Sequence, residues 1–332
     1  MRRIIVLTVL CLFLASPALA VFKFTGEMCI TDEEAQEAKK FYEQALAHEK
    51  AGRNKEAYTA ALYVNTSCIS GDRSEYGILT ALVRKTSLKM GEEAENKGRF
   101  AEAYDYYRQF HGTAADRVQM KLATSRPGDF GTVQTGVNYF RDMHEGLTHD
   151  MLTAKDPDLD MRLQAVNGYQ SKLRAIATSK GEEALIDEDK VFASRKTSIT
   201  AKTNSFDELQ RAEKWLELAG QEKRAHDRAV TRGDTLSAND TRTSLRLAIS
   251  YYQFARNDKK IQSVQDKAKR LGDGQLQKGE KMIASEYYAI AGLGDKSSEL
   301  FEAHEAEKMK AESERKDQFK NDQDSLEKEL GF

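Results

Sequence analysis

The histidine pair near the middle of the chain has the residue types of a metal-binding helix but not the spacing. His144-Glu145-Gly146-Leu147-Thr148-His149 places the two imidazoles five residues apart. A zinc-protease helix needs them four apart, so that both rings point from one face, whereas five residues correspond to about 500° of helical rotation. The other four histidines are isolated in the sequence: His48, His111, His226 and His304. We therefore expect no metal site.

The sequence also lacks the usual signatures of catalysis and cofactor binding. No glycine-rich phosphate loop follows a strand, and no Gly-x-Ser-x-Gly elbow is present. Acidic residues are abundant, but a glutamate on a charged helix is ordinarily solvated, so nothing selects two of them as an acid/base pair. We expect no catalytic residues, no cofactor-binding residues and no cofactor.

Arg232-Gly233-Asp234 matches the tripeptide that integrins bind. A three-residue motif occurs often by chance, and a glycine between two charged residues is typical of a turn. We interpret this tripeptide as the turn that joins two helices.

The N-terminus has the order of segments found in a secretory signal. Arg2 and Arg3 precede an apolar run over residues 4–15, and Ala18-Leu19-Ala20 is a small-residue cleavage site. The run is shorter than the roughly 20 apolar residues that a spanning helix needs, so cleavage after Ala20 is favoured over an uncleaved anchor. No later segment is long and apolar enough to span a bilayer, so we expect a mature protein that is soluble outside the cytoplasm.

Cys29 and Cys68 are the two cysteines that remain after Cys11 leaves with the signal. A pair of cysteines in an oxidising compartment most simply forms a disulfide. Closing a loop of this size would stabilise the fold by about 4 kcal/mol. Two buried free thiols and a redox pair are the alternatives, although a redox pair usually has Cys-x-x-Cys spacing.

Charge is distributed unevenly along the chain. Removing Arg2 and Arg3 changes the net charge from −2 to −4, and this near-neutral value argues against nucleic acid as the partner. Residues 221–281 hold 14 basic and 8 acidic side chains, whereas residues 299–332 hold 6 and 11. The sequence thus predicts a basic surface for an acidic protein partner, carried by Lys259, Lys260, Lys267, Lys269 and Arg270. One alternative is that the acidic C-terminal helix shields this basic surface, and another is that the charges are ordinary solvated helix faces.

A repeated signature indicates how the helices are arranged. Ala-x-x-aromatic-x-x-x-Ala begins at Ala212, Ala248 and Ala284, at equal intervals of 36 residues. Small residues and aromatics at helical spacing, repeated with such a period, are typical of stacked helical hairpins. We expect Tyr252 and Tyr288 to fill the space between hairpins. An ordinary helical bundle with tyrosines in its core is the alternative.

The same residues resemble tetratricopeptide repeats. The family pattern is matched in order by Gly91, Ala94, Gly98, Phe100, Ala103, Tyr107 and Phe110, and again by Leu271, Gly272, Gly279, Ala284, Tyr288 and Ala291. The proline that usually closes each repeat is missing. The resemblance implies an all-α protein whose hairpins form an α-solenoid, in one array or in two lobes, and whose groove binds other proteins.

These features divide the chain into five segments. The signal peptide occupies residues 1–20, and tetratricopeptide-like hairpins follow in residues 21–112. Residues 113–158 form an irregular connection that contains a turn at Pro127. A helical array occupies residues 159–298, and a charged capping helix occupies residues 299–332. A coiled-coil or partner-binding role is the alternative for the last segment. We also expect four residues to cap helices at their N-termini, namely Thr31, Ser205, Asp240 and Asp258.

These features favour a non-enzymatic scaffold or adaptor, exported to the periplasm or secreted, with a bacterial envelope favoured by Ser16-Pro17-Ala18-Leu19-Ala20. Such a protein would bind protein partners through a rigid helical surface. One alternative is a structural envelope protein that assembles with itself. The other is a hydrolase whose helical array carries a hidden pair of catalytic carboxyl groups.

Overall fold

A computed structural model describes Cys29 and residues 31–69, 73–153, 157–194 and 199–330 of the 332-residue chain. The described part contains thirteen α-helices and no strand, which confirms the all-α prediction. The predicted signal peptide, residues 1–20, lies outside the described residues. The chain divides into two compact units, an N-terminal unit of residues 1–170 and a C-terminal unit of residues 171–332.

The N-terminal unit is built from consecutive helices that pack against their neighbours. A short 3-10 turn, Thr66–Cys68, follows the second helix. The helices are α1 (Asp32–Lys50), α2 (Asn54–Leu62), α3 (Arg73–Asn96), α4 (Phe100–Tyr107), α5 (Gly112–Ser125), α6 (Phe130–Thr153) and the first part of α7 (Pro157–Ser194).

The C-terminal unit follows the same plan of consecutive packed helices. It begins within α7, at Ser171. Its further helices are α8 (Ile199–Leu218), α9 (Lys223–Ser237), α10 (Arg242–Phe254), α11 (Asp258–Gln277), α12 (Lys281–Ile290) and α13 (Gly294–Leu330).

The repeated alanine and aromatic signature forms the core of the C-terminal unit. Ala212, Ala248 and Ala284 are fully buried, and Tyr252 and Tyr288 are 1% and 0% exposed. The alanines allow helices to approach closely, and the tyrosines fill the volume between them. The prediction that both tyrosines are buried is therefore confirmed.

Of the four predicted N-terminal helix caps, one is at the predicted residue. Thr31 accepts a hydrogen bond from the backbone of Glu34, as predicted. The residues that cap α10 and α11 are Thr241 and Asn257, each one position away from the predicted Asp240 and Asp258. The predicted cap at Ser205 is also wrong, since α8 begins at Ile199 and includes Ser205 in its interior.

Segment 113–158, for which we expected an irregular connection, is largely helical. It contains most of α5 and all of α6, joined by a turn around Pro127 at the position that the sequence predicted. The boundary between the two compact units falls after Gln170 within α7, not near residue 159. A helix can continue through a change of partner because its backbone hydrogen bonds are internal.

Helix α13 has two differently exposed parts. At its start, Ser297 Oγ donates a 2.8 Å hydrogen bond to the carbonyl of Ser285 on α12, and Lys281 forms an ion pair with Glu307. Every side chain from 306 to 326 is exposed. The capping role predicted for 299–332 remains a prediction.

Candidate functional site

Three of the five predicted partner-binding residues line one cleft in the C-terminal unit. Lys260, Lys267 and Arg270 project from α11 into a space of about 180 Å³. The opposite wall is formed by Asp234 and Ser237 of α9 and by Tyr252 of α10, with Ser263 and Val264 completing the lining. We call this space the basic cleft. Lys259 and Lys269 are exposed on the same helix but do not line it.

A glycine on α9 allows Tyr252 to form one wall of the cleft. A Cβ atom at Gly233 would lie 2.5 Å from Tyr252 Cε1, which is closer than real side chains pack. The ring therefore lies directly on the backbone of α9, and its hydroxyl donates a 2.6 Å hydrogen bond to Asp234. Burial, together with the adjacent Asp234 carboxylate, raises the pKa of Tyr252 to about 12.

Asp234 joins three successive helices at the edge of the cleft. Besides the Tyr252 hydroxyl, it accepts a 2.8 Å hydrogen bond from Lys260 Nζ. Burial alone would raise the pKa of Asp234, but the hydrogen bonds from Lys260 and Tyr252 outweigh it and hold the pKa below its ordinary value. Asp234 is therefore a carboxylate at neutral pH, and it neutralises Lys260.

The other two cations of the basic cleft differ in how far their charges are satisfied. Lys267 Nζ donates a 2.7 Å hydrogen bond to the carbonyl of Ser237, at the C-terminal end of α9, and lies 2.7 Å from Asp240 Oδ1. This position suits a cation, because the end of a helix carries partial negative charge. Arg270 forms no ion pair with any described residue. Its positive charge is therefore available to a ligand in the cleft.

The joint around Asp234 recurs elsewhere in the molecule. In the C-terminal unit, Tyr288 packs on Gly272 and donates to Asp273, which also lies 3.5 Å from Lys296 Nζ. In the N-terminal unit, Tyr107 packs on Gly91 and donates to Glu95, which binds Arg117 and Lys121. Each joint links a helix, its hairpin partner and the following helix. Lys260 thus has a structural role that the sequence analysis did not anticipate.

The Arg232-Gly233-Asp234 tripeptide is not a turn, as we expected, but lies within α9 (Lys223–Ser237). All three residues are used by the fold. Gly233 lies under Tyr252 and Asp234 belongs to the joint, while Arg232 donates two 2.9 Å hydrogen bonds to Glu188 on α7. A motif whose two charged side chains are bound internally is not presented as a loop for a receptor.

Glu188 is the centre of a buried ion cluster in the C-terminal unit. It is fully buried, and Ser205 Oγ donates a 2.6 Å hydrogen bond to it. Arg232 also pairs with Asp189 and stacks 4.1 Å above the ring of Phe192. Glu188 therefore has its lone pairs satisfied by donors from α8 and α9, which a buried carboxylate requires.

Asp116 is the centre of a corresponding cluster in the N-terminal unit. It is 1% exposed and accepts 2.6 and 3.1 Å hydrogen bonds from Arg162, together with a 2.8 Å bond from the hydroxyl of Tyr139. Burial, with Asp116 adjacent, raises the pKa of Tyr139. The cluster joins α5, α6 and the first part of α7. Sequence reasoning missed it because its members are far apart in sequence.

The predicted disulfide is present. Cys29 and Cys68 are bonded, with their Cα atoms 4.7 Å apart, and they enclose α1 and α2. Among the described residues, the one group of three potential metal ligands is Cys29, Glu34 and Cys68. Both of its sulfur atoms are engaged in the disulfide, so neither can provide the thiolate that a metal needs. His144 and His149 both lie on α6, half-buried and exposed respectively.

Comparison with known proteins gives no match to a family model, to a curated protein or to a solved structure. A membrane-spanning helix would need an apolar run that none of the helices in the described ranges has.

Proposed function

We propose that this chain is an exported, non-enzymatic adaptor with tetratricopeptide-like hairpins, which binds an acidic segment of a partner protein in its basic cleft. The observation that carries the proposal is the position of Arg270. Its guanidinium lines the cleft without an ion pair among the described residues, next to Lys260 and Lys267. A guanidinium can hold a carboxylate by two parallel hydrogen bonds, which gives such a site direction as well as affinity.

The architecture supports binding better than catalysis. The helices that form the walls of the cleft are joined at Asp234, so the backbone that carries Arg270 needs little rearrangement when a ligand arrives, and this lowers the cost of binding. The consecutive packed helix pairs fit a tetratricopeptide-like solenoid, whose rigid surfaces bind other proteins. Export is supported by the disulfide and by the signal-like sequence of residues 1–20.

The acidic groups weigh against the alternative of a hydrolase. In the described part of the chain, the carboxyl groups whose pKa shift is resolved are all shifted downward: Glu49, Glu95, Asp129, Asp187, Asp234, Asp273 and Glu307. A general acid near neutral pH needs the opposite shift, which burial in apolar surroundings produces. Six of these carboxylates form ion pairs, and Asp129 accepts hydrogen bonds from Gly131 and Thr132, so all seven fit structural roles instead.

The test compares Arg270→Glu with Lys259→Glu. Both residues are exposed on α11 and both substitutions change the charge by the same amount, but only Arg270 lines the cleft. We expect Arg270→Glu to weaken binding of a fluorescent oligoglutamate peptide by about tenfold or more, because a repulsive charge then faces the ligand. Lys259→Glu should have little effect, and the corresponding oligoglutamine peptide should not bind.

The same two variants, used as bait in an envelope extract, identify the partner. A protein retained by the wild type and by Lys259→Glu, but lost with Arg270→Glu and at high salt, would be the partner of the cleft. Equal weakening by both substitutions would mean that α11 attracts acidic molecules only through its general charge. Equal binding by all three proteins would contradict the proposal.

A further inference from the structure

The exposed part of α13 carries apolar side chains that no described residue covers. All side chains from 306 to 326 are exposed, and Met309, Phe319 and Leu326 are 71%, 72% and 56% exposed. At 1.5 Å per residue, this part of the helix is about 30 Å long. A helix of this length in water gains most of its stability from packing an apolar face against something.

The apolar residues fall on the core positions of a heptad pattern. Counting Met309 as position a places Lys316 and Gln323 at the following a positions. Glu312, Phe319 and Leu326 then occupy the d positions. Three of the six core positions are thus apolar and three are charged or polar, and the charged ones determine which partner fits.

A second copy of this helix fits only in the antiparallel direction. In a parallel pair, identical core residues face each other, so Glu312 would meet Glu312 and Lys316 would meet Lys316. Flanking positions would be repulsive as well, because Arg315 would face Lys320 of the second copy. Buried like charges without compensation cost several kcal/mol, so the parallel arrangement is disfavoured.

The antiparallel arrangement removes each of these like-charge contacts. When Lys316 faces Phe319 of the second copy, Met309 faces Leu326 and Glu312 faces Gln323. The flanking Arg315 then faces Asp322, and the two-fold symmetry makes this ion pair twice. Shifting the register by one heptad in either direction would place Arg315 opposite Arg315, or Asp322 opposite Asp322. The charges therefore select one register.

We propose that α13 pairs with α13 of a second copy of this chain as an antiparallel two-stranded coiled coil, in which Arg315 of each copy binds Asp322 of the other. The pairing uses the part of α13 beyond its contacts with α12, and it does not involve the basic cleft. An adaptor paired in this way would present two basic clefts, which raises its affinity for a partner with several acidic segments.

The test reverses the charges singly and then together in the full-length mature chain. Arg315→Glu places a glutamate opposite Asp322, and Asp322→Arg places an arginine opposite Arg315, so each should raise the dimer Kd by about tenfold or more. The double variant Arg315→Glu, Asp322→Arg restores opposite charges and should restore dimerisation. Lys310→Glu has the same charge change as Arg315→Glu but lies outside the seam, and it should dimerise like the wild type. Sedimentation velocity over a range of concentrations measures each Kd.

Spin labels at single introduced cysteines determine the direction of the pair. In the antiparallel dimer, labels at Gln318 are nearly level along the axis, whereas labels at Ala306 are separated by about 35 Å along it. A parallel dimer would give similar distances at both positions and would overturn the proposal. So would a wild-type chain that stays monomeric at every concentration, or a double variant that fails to recover.

Discussion

Both units bury a carboxylate, but they place different numbers of cations beside it. Each contains a buried carboxylate that is held by an arginine through two hydrogen bonds and by a hydroxyl group. In the N-terminal unit Asp116 has one cation, Arg162, at hydrogen-bond distance. In the C-terminal unit Glu188 has Arg232 in that role, and a second cation, Arg228, lies 4.0 Å from its Oε2 atom. We therefore expect the cluster around Glu188 to tolerate the loss of a cation better than the cluster around Asp116.

The units also differ in how else they are stabilised. The N-terminal unit contains the disulfide between Cys29 and Cys68, whereas the sequence has no cysteine after Cys68. The C-terminal unit has the larger cluster of core residues and two of the three tyrosine joints, around Asp234 and Asp273. The disulfide thus closes a loop in the unit whose described core residues fall into at least two separate clusters.

The largest expected effect comes from removing the single cation of the N-terminal cluster. Arg162→Met should destabilise the N-terminal unit by about 3–5 kcal/mol, because it leaves Asp116 buried without a counter-charge. Arg232→Met should cost the C-terminal unit less, about 2–3 kcal/mol, because Arg228 can move closer to Glu188. Hydrogen exchange of peptides from α5 and α9, followed by mass spectrometry, measures the two units separately.

A double variant separates the loss of the charge pair from the loss of packing. Adding Asp116→Asn to Arg162→Met removes the unpaired charge and should recover a large part of the stability. If Arg232→Met costs as much as Arg162→Met or more, Arg228 does not act as a reserve cation. The difference that we infer between the two units would then be wrong.

Sequence reasoning predicted the features that depend on local or periodic patterns. The helical class, the burial of Tyr252 and Tyr288, the cap at Thr31 and the cysteine pairing all follow from spacing, composition or compartment. The basic surface predicted on α11 includes Lys260, Lys267 and Arg270, which do line the cleft, but it also includes Lys259 and Lys269, which do not. The lining of the cleft depends on the position of α9, which no pattern within α11 encodes.

The features that sequence reasoning missed depend on contacts between distant residues. Ser205 has the sequence of an N-cap, but its hydroxyl is needed by Glu188 of the preceding helix, and this tertiary contact overrides the local preference. Arg232-Gly233-Asp234 similarly has the composition of a turn, yet between them its residues contact three other helices, α7, α10 and α11. One sequence pattern could have predicted the joints. Gly233-Asp234 and Gly272-Asp273 each precede a buried tyrosine by a similar interval, and in both cases the glycine and the aspartate contact that tyrosine.

The disulfide between Cys29 and Cys68 is confined to the N-terminal unit. Reducing it, or replacing Cys29 and Cys68 with alanine, should destabilise that unit by about 2–4 kcal/mol, because the unfolded chain gains conformational freedom. The C-terminal unit should not change. Urea unfolding with and without reductant, monitored by hydrogen exchange in α2 and α12, provides the measurement. An equal loss of protection in both helices would indicate that the units unfold together and that their stabilities cannot be compared separately.

The smallest effect concerns how the joints of the two units respond to acid. A hydrogen bond from Arg117, opposed by burial and reinforced by Lys121, lowers the pKa of Glu95 from its ordinary 4.5 to about 2. A folded-state pKa below the unfolded value means that the stabilisation is complete above about pH 4.5 and is lost as the pH falls toward 2. Because Arg117 and Lys121 are about half exposed, we expect a loss of roughly 1–2 kcal/mol from the N-terminal unit, less than the full shift would give.

The corresponding carboxylates of the C-terminal unit, Asp234 and Asp273, are about half exposed and each is paired with one lysine. Both have a lowered pKa, but solvent screens their ion pairs, so that unit should lose less stability over the same range of pH. Hydrogen exchange at a series of pH values, corrected for the intrinsic exchange rate, compares α4 with α10. Glu95→Gln is the matched control: it keeps the size of the side chain and should remove this part of the pH dependence in α4 while leaving α10 unchanged. If the wild type and Glu95→Gln lose stability in parallel as the solution is acidified, Glu95 is not the group that makes the N-terminal joint acid-sensitive. If α4 and α10 of the wild type lose protection equally, the carboxylates of the two units respond alike.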